Sequence, residues 1–98
     1  MTTGHARERS TERIVMTLGI DAERIAVERA ERYASTSATD TAVRVYRSAI
    51  HGLWAGESNG DTVIAIIRSR RVITYMLRRS SQPFAPSAFG VTRVEDAS

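Results

Sequence analysis

Two apolar segments, DTVIAIIR (61–68) and RVITYMLR (71–78), decide the fold of this chain. Both are rich in β-branched residues, which pack well on a pleated surface, and both have the length of a strand. Only the dipeptide SR separates them, so we predict an antiparallel β-hairpin. A two-residue turn sets Asp61 opposite Arg78 as an ion pair. Both faces of the hairpin are apolar, which predicts that it is covered on both sides.

The two turn residues, Ser69 and Arg70, are an unusual choice for a tight hairpin. Such turns favour residues that adopt positive φ easily, such as Asn-Gly. A longer turn with a different pairing is therefore the alternative. For the two-residue turn, the predicted register places Ile66 opposite Ile73.

Helical periodicity precedes the hairpin. Residues 5–18 and 22–34 have apolar residues at helical spacing, with Gly19 as a stop between them and Asp21 as the N-cap of the second helix. The first two turns of the first helix are poor in apolar residues, which predicts a frayed or late start. At 41–49 the period changes to two, which predicts a strand.

The alternation within 41–49 places Val43, Val45 and Arg47 on one face of that strand. The segment 80–90 contains both prolines and is predicted to be a loop with one helical turn, and 91–95 is predicted to be a short last strand.

These elements predict a single α+β domain over residues 1–98. Two N-terminal helices pack on one face of a three- to four-stranded antiparallel sheet, because strands that follow one another with short links are usually antiparallel neighbours.

The composition limits the classes of function. Hydrophobic residues make up 42% and charged residues 26% of the chain, which favours a globular protein over a disordered one. The absence of Cys excludes disulfides and thiolate chemistry, and two His alone argue against a metal site, so we expect no cofactor. The polar first residues and the short apolar runs predict a soluble, cytoplasmic protein without membrane contact.

The basic residues are unusual because all 14 are Arg. Codon bias in a GC-rich genome explains this without function, whereas guanidinium groups also bind phosphates bidentately. Residues 1–40 hold six Arg against seven acids, and residues 41–98 hold eight Arg against four acids. The C-terminal part is therefore basic, which is compatible with nucleic-acid contact.

Two stretches, HARERSTERIVMTLGID (5–21) and VIAIIRSRRVITYML (63–77), resemble a family of small domains of unknown function. That family looks like a branch of the RelE/BrnT and colicin-type ribonuclease toxins. The chain is also similar to uncharacterised small proteins of actinobacteria and their phages. The resemblance implies two helices against an antiparallel sheet, RNA as the ligand and a cognate antitoxin as a partner. By position, the resemblance implies functional roles for His5, Arg9, Arg13 and Thr74.

Metal-independent RNA cleavage needs a base, an acid and cations beside the developing negative charge. His5 shares one helix face with Arg9 and Arg13 at four-residue spacing, which favours a catalytic face, although a solvated charged face is the alternative. His51 lies in a glycine-rich loop after the first strand. It is a candidate base or an ordinary surface histidine.

The two arginines that end the hairpin point to opposite faces, so only one lines a given cleft. If Asp61 pairs with Arg78, then Arg79 is the freer cation and the candidate for anion contact. The arginines at the other end, the hairpin tip, either contact a phosphate backbone or are merely solvated; they are Arg68, Arg70 and Arg71.

Two functions follow. The first is a RelE/BrnT-like toxin-type ribonuclease, or a degenerate relative, that acts on or binds RNA. The alternative is a small phage-encoded protein that binds and inhibits a host protein without catalysis. The alternative predicts an exposed apolar patch around Trp54, Phe84 and Phe89. A homodimer through an edge strand at 41–49 or 91–95 is compatible with either.

Overall fold

A computed structural model of the chain contains a helical layer and a sheet. It describes residues 2–37, 39–48, 61–79 and 84–97. The helices are α1 (Thr2–Leu18) and α2 (Ile20–Thr36). The strands are β1 (Thr41–Arg47), β2 (Asp61–Arg68), β3 (Arg71–Arg79) and β4 (Val94–Asp96). Within the described residues they form one four-stranded sheet in the order β3-β2-β1-β4. The α+β class, the two leading helices and the hairpin are thereby confirmed.

The sheet is mixed, so the prediction of a purely antiparallel sheet is wrong. β4 runs parallel to β1, with Ala42 beside Val94. After β3 the chain passes over the sheet through a 3₁₀ turn at Pro86–Phe89 and reaches the far side of β1. A crossover of this length can deliver a parallel strand, which a short hairpin cannot. β1 is therefore an interior strand where β4 pairs with it, and the predicted edge for a homodimer at 41–49 is wrong there.

The hairpin turn has two residues, although neither is glycine. Ser69 has φ 52° and Arg70 has φ 61°, so both lie in the left-handed region. The carboxylate of Asp40 supports this turn from the α2–β1 connection. Its Oδ1 accepts a hydrogen bond from the Ser69 amide at 2.9 Å, and its Oδ2 lies 3.8 Å from Nε of Arg68. The alternative of a longer turn is wrong.

A β-bulge shifts the hairpin register after the first two residue pairs beyond the turn. Ile67 lies opposite Val72, as predicted, but Ile66 lies opposite Thr74 and Ile73 is the extra residue. Because both faces of the hairpin are apolar, the alternation of side chains contained no signal for this slip.

The helices cover one face of the sheet with small side chains. Gly19, with φ 101°, separates them, and α2 begins at Ile20. Asp21 therefore lies in the first turn and pairs with Arg24 instead of forming the predicted N-cap. The predicted late start of the first helix is also wrong, since α1 begins at Thr2. Four alanines of α2 are buried against the sheet, where their size permits close approach: Ala22, Ala26, Ala30 and Ala34.

The opposite face, called here the second face, is covered by the C-terminal segment. Ile64, Ile66 and the buried Val91 form a separate apolar cluster there. Phe84 and Phe89 stack with ring centroids 5.8 Å apart and pack on this cluster. The prediction that the hairpin is covered on both sides is thereby confirmed. Among the described residues, no helix has both the length and the apolar character needed to cross a bilayer.

Candidate functional site

The structure separates the residues that the resemblance brought together. Arg9 and Arg13 are exposed on α1, which faces the sheet through the buried Ser10 and Ile14. Thr74 lies opposite Ile66, a member of the cluster on the second face. The arginines of α1 and Thr74 therefore lie on different sides of the sheet.

Of the two candidate histidines, only His5 lies within the described residues. His5 belongs to the first turns of α1, on the helical side. His51 lies outside the described residues, as does Trp54. Within the described ranges, no three His, Cys, Asp or Glu residues lie close enough together to hold a metal ion.

The bulge at Ile73 reverses the expected roles of the two arginines that end β3. Asp61 lies opposite Arg79, and Arg78 lies opposite Thr62. The predicted ion pair between Asp61 and Arg78 is therefore wrong. Arg78, which sequence reasoning assigned to structure, is the arginine on the second face.

A second bulge changes the side on which Arg47 lies. The pairing of β1 with β2 shifts between Arg44 and Tyr46, so that Val45 and Tyr46 both pack against the helix-side cluster. Arg47 is then placed opposite Thr62, on the second face. The simple alternation had put Arg47 on the same face as Val45, and this prediction is wrong.

The two slips bring three polar residues into one line across β1, β2 and β3. We call Arg47, Thr62 and Arg78 the arginine row. Adjacent strands lie about 4.8 Å apart, so the Cα atoms of the two arginines are roughly 10 Å apart on one face. Thr62, between them, is only 5% exposed. A ligand above Thr62 can therefore be reached by a guanidinium from each side.

The cations of the row are not neutralised within the part of the chain that the structure describes. Neither Arg47 nor Arg78 forms an ion pair with a described residue. By contrast, Nη1 of Arg44, further along the same face, lies 3.5 Å from Oδ2 of Asp96. The Nε atom of Arg78 is buried and has no hydrogen-bond partner among the described residues. A buried N–H without an acceptor costs about 1–3 kcal/mol. An anionic oxygen bound here would remove that cost.

Sequence reasoning did not single out Arg47 and Thr62, and it placed Arg78 opposite Asp61, where the structure has Arg79. A polar residue at position 62, next to a long apolar run, was the available signal. Only the register of the three strands shows that this residue, Thr62, lies between two arginines. No protein-family model matches this chain, and neither a curated protein nor a solved structure shows significant similarity to it.

Proposed function

We propose that this protein binds RNA through the arginine row, as a RelE/BrnT-like toxin-type ribonuclease or a degenerate relative of one. The observation that carries the proposal is the half-buried Arg78, whose Nε has no partner among the described residues. It lies across Thr62 from Arg47, which forms no ion pair with a described residue. Guanidinium groups bind phosphate oxygens through two parallel hydrogen bonds, and two such groups flanking one position suit a backbone phosphate.

Cleavage requires a general base in addition to the cations of the row. His51 follows Arg47 by four residues in the sequence, whereas His5 belongs to the helix on the opposite side of the sheet. We therefore propose His51 as the base of an active enzyme. In a degenerate relative the row binds RNA without cleaving it.

Binding is tested by titrating a labelled single-stranded RNA with the wild-type protein and with Arg78→Gln and Arg47→Gln. Loss of a charged hydrogen bond costs about 1.5–3 kcal/mol, so each variant should bind roughly ten- to hundredfold more weakly. Arg24→Gln is the matched control, because it removes the same charge from an exposed ion pair on α2. Equal losses in all three variants would mean that only net charge matters, and the proposal would fail.

Cleavage is tested separately on the same RNA. If the protein is an enzyme, His51→Ala should abolish cleavage while leaving binding intact, and His5→Ala should leave both unchanged. Cleavage that survives His51→Ala but not His5→Ala would contradict the assignment of the base. Tight binding without cleavage by the wild-type protein would identify the degenerate relative.

One observation favours the alternative function, inhibition of a host protein. All the large hydrophobic side chains that the described residues expose lie within positions 15–20: Met16 is 87% exposed, Ile20 70% and Val15 38%. Exposed apolar side chains that cluster in this way are typical of protein-binding surfaces. The predicted patch is different, since Phe84 and Phe89 are half-buried in the cover of the second face.

This alternative is distinguished from RNA binding by toxicity on expression in a host. Protein inhibition predicts growth arrest that persists in the Arg47→Gln/Arg78→Gln double variant but is lost in Met16→Glu. Thr17→Glu, a change at an exposed neighbour on α1, is the control. Arrest that depends on the arginine row and not on Met16 would contradict the alternative.

A further inference from the structure

The hairpin tip exposes two arginines that have no described structural role. Arg70 and Arg71 are exposed and form no ion pair within the part of the chain that the structure describes. Arg68 differs, because it is near Asp40 and its guanidinium lies against Gly90, where an added Cβ would be 3.4 Å from Nη1. One arginine of the tip is therefore structural and two are available to a ligand.

The tip adopts a backbone that is unfavourable for its residues. A left-handed conformation costs roughly 1–2 kcal/mol for a residue with a Cβ, and both Ser69 and Arg70 adopt it. Asn-Gly would form the same turn without that cost. The hydrogen bond from the Ser69 amide to Asp40 offsets part of the cost. The sequence thus keeps a charged side chain at a position where glycine is more favourable.

The tip and the arginine row share one strand and one face. Arg71 lies opposite Arg68, whose guanidinium contacts the segment that covers the second face. Arg71 therefore lies on the second face at one end of β3, and Arg78 lies on the same face near the other end. β3 is an outer strand of the described sheet. The half-buried Thr74 lies between the two arginines. The residues opposite them on β2, Arg68 and Thr62, are six residues apart. At about 3.4 Å per residue, Arg71 and Arg78 are therefore roughly 20 Å apart.

We infer that Arg70 and Arg71 form a second phosphate-contact point for the RNA strand held by the arginine row, so that the strand lies along β3. This inference depends on the proposed function and specifies the length of its ligand. Stacked nucleotides advance about 3.4 Å each along a strand, so roughly 20 Å corresponds to about six nucleotides. Shorter RNA reaches one contact point, and longer RNA reaches both.

The test compares labelled single-stranded RNAs of about four and about twelve nucleotides, which lie on either side of the length that phosphate spacing gives. The wild-type protein should bind the longer RNA at least about tenfold more tightly, since a charged contact is worth about 1.5–3 kcal/mol. Arg70→Gln/Arg71→Gln should reduce the affinity for the longer RNA to nearly that for the shorter one. It should leave the shorter RNA unaffected. Arg24→Gln/Arg32→Gln, with the same loss of charge on α2, should preserve the difference.

A second variant separates lost contacts from lost folding. Ser69→Asn/Arg70→Gly suits the turn better than the natural residues, so it should fold at least as stably and still bind the longer RNA more weakly. Unchanged affinity of both tip variants for the longer RNA would overturn the inference and leave the proposed function standing. An Arg78→Gln variant that binds the shorter RNA as the wild type does would overturn the proposed function. A wild-type protein that binds neither RNA would overturn both.

Discussion

The hydroxyl of Ser10 is expected to stabilise the outer strand of the sheet. Its Oγ, on α1, accepts a hydrogen bond from the Tyr75 amide of β3 at 3.1 Å, and both residues are buried. Ser10→Ala removes this acceptor in an environment that water does not reach, at a cost of about 1–3 kcal/mol. Ala is the better helix former by up to about 0.7 kcal/mol. The expected net loss of unfolding free energy is therefore about 0.5–2.5 kcal/mol.

Urea unfolding followed by circular dichroism measures this loss. For a domain of this size an m-value near 1 kcal/mol/M converts the loss into a midpoint about 0.5–2.5 M lower. Ser35→Ala is the matched control, because the exposed Ser35 hydroxyl donates only to the carbonyl of Arg32 in its own helix. It should leave the midpoint unchanged or raise it slightly. Equal midpoints for the two variants would refute the reasoning about Ser10.

Three further changes test the fold at separate points. Gly19→Ala should lower the free energy of unfolding by about 1–3 kcal/mol, because residues with a Cβ rarely adopt φ 101°. No atom lies within 4 Å of the new Cβ, so the loss would come from the backbone and not from a clash. A thermal melt like that of the wild type would contradict the backbone argument. Ser69→Asn/Arg70→Gly should raise the free energy of unfolding, measured by denaturation in guanidinium chloride, by about 1 kcal/mol. A lower value than that of the wild type would show that the natural side chains support the turn. Ala26→Leu should cost about 1–3 kcal/mol by overpacking the helix–sheet interface, and calorimetry that finds a gain would reveal unfilled space there.

Local patterns were sufficient for the elements of this fold. The change from helical to twofold periodicity near residue 41 located the boundary between helices and strands, and the β-branched runs located the hairpin. These signals are local, because a helix or a strand exposes one face at a fixed repeat.

The pairing of the strands could not be predicted in the same way. Bulges at Val45 and Ile73 each insert one residue into a strand. Because both faces of these strands carry apolar residues, the sequence pattern is the same with and without the shift in register. The parallel position of β4 depends on the crossover over the second face. This crossover is determined by contacts between residues far apart in the sequence. The arginine row depends on the pairing of β1 with β2 and of β2 with β3, including both bulges, so it was visible only in three dimensions.

The late position of β4 in the chain has a consequence for biosynthesis. The hydroxyl of Thr41 donates to the carbonyl of Arg93, 52 positions later, so the outer flank of β1 remains without this partner until residue 93 has been synthesised. During that interval Ile64 and Ile66 of the nascent chain are exposed to solvent without their cover. Ribosome-associated chaperones that recognise aliphatic segments should bind stalled chains lacking residues 84–97 and release those that include them.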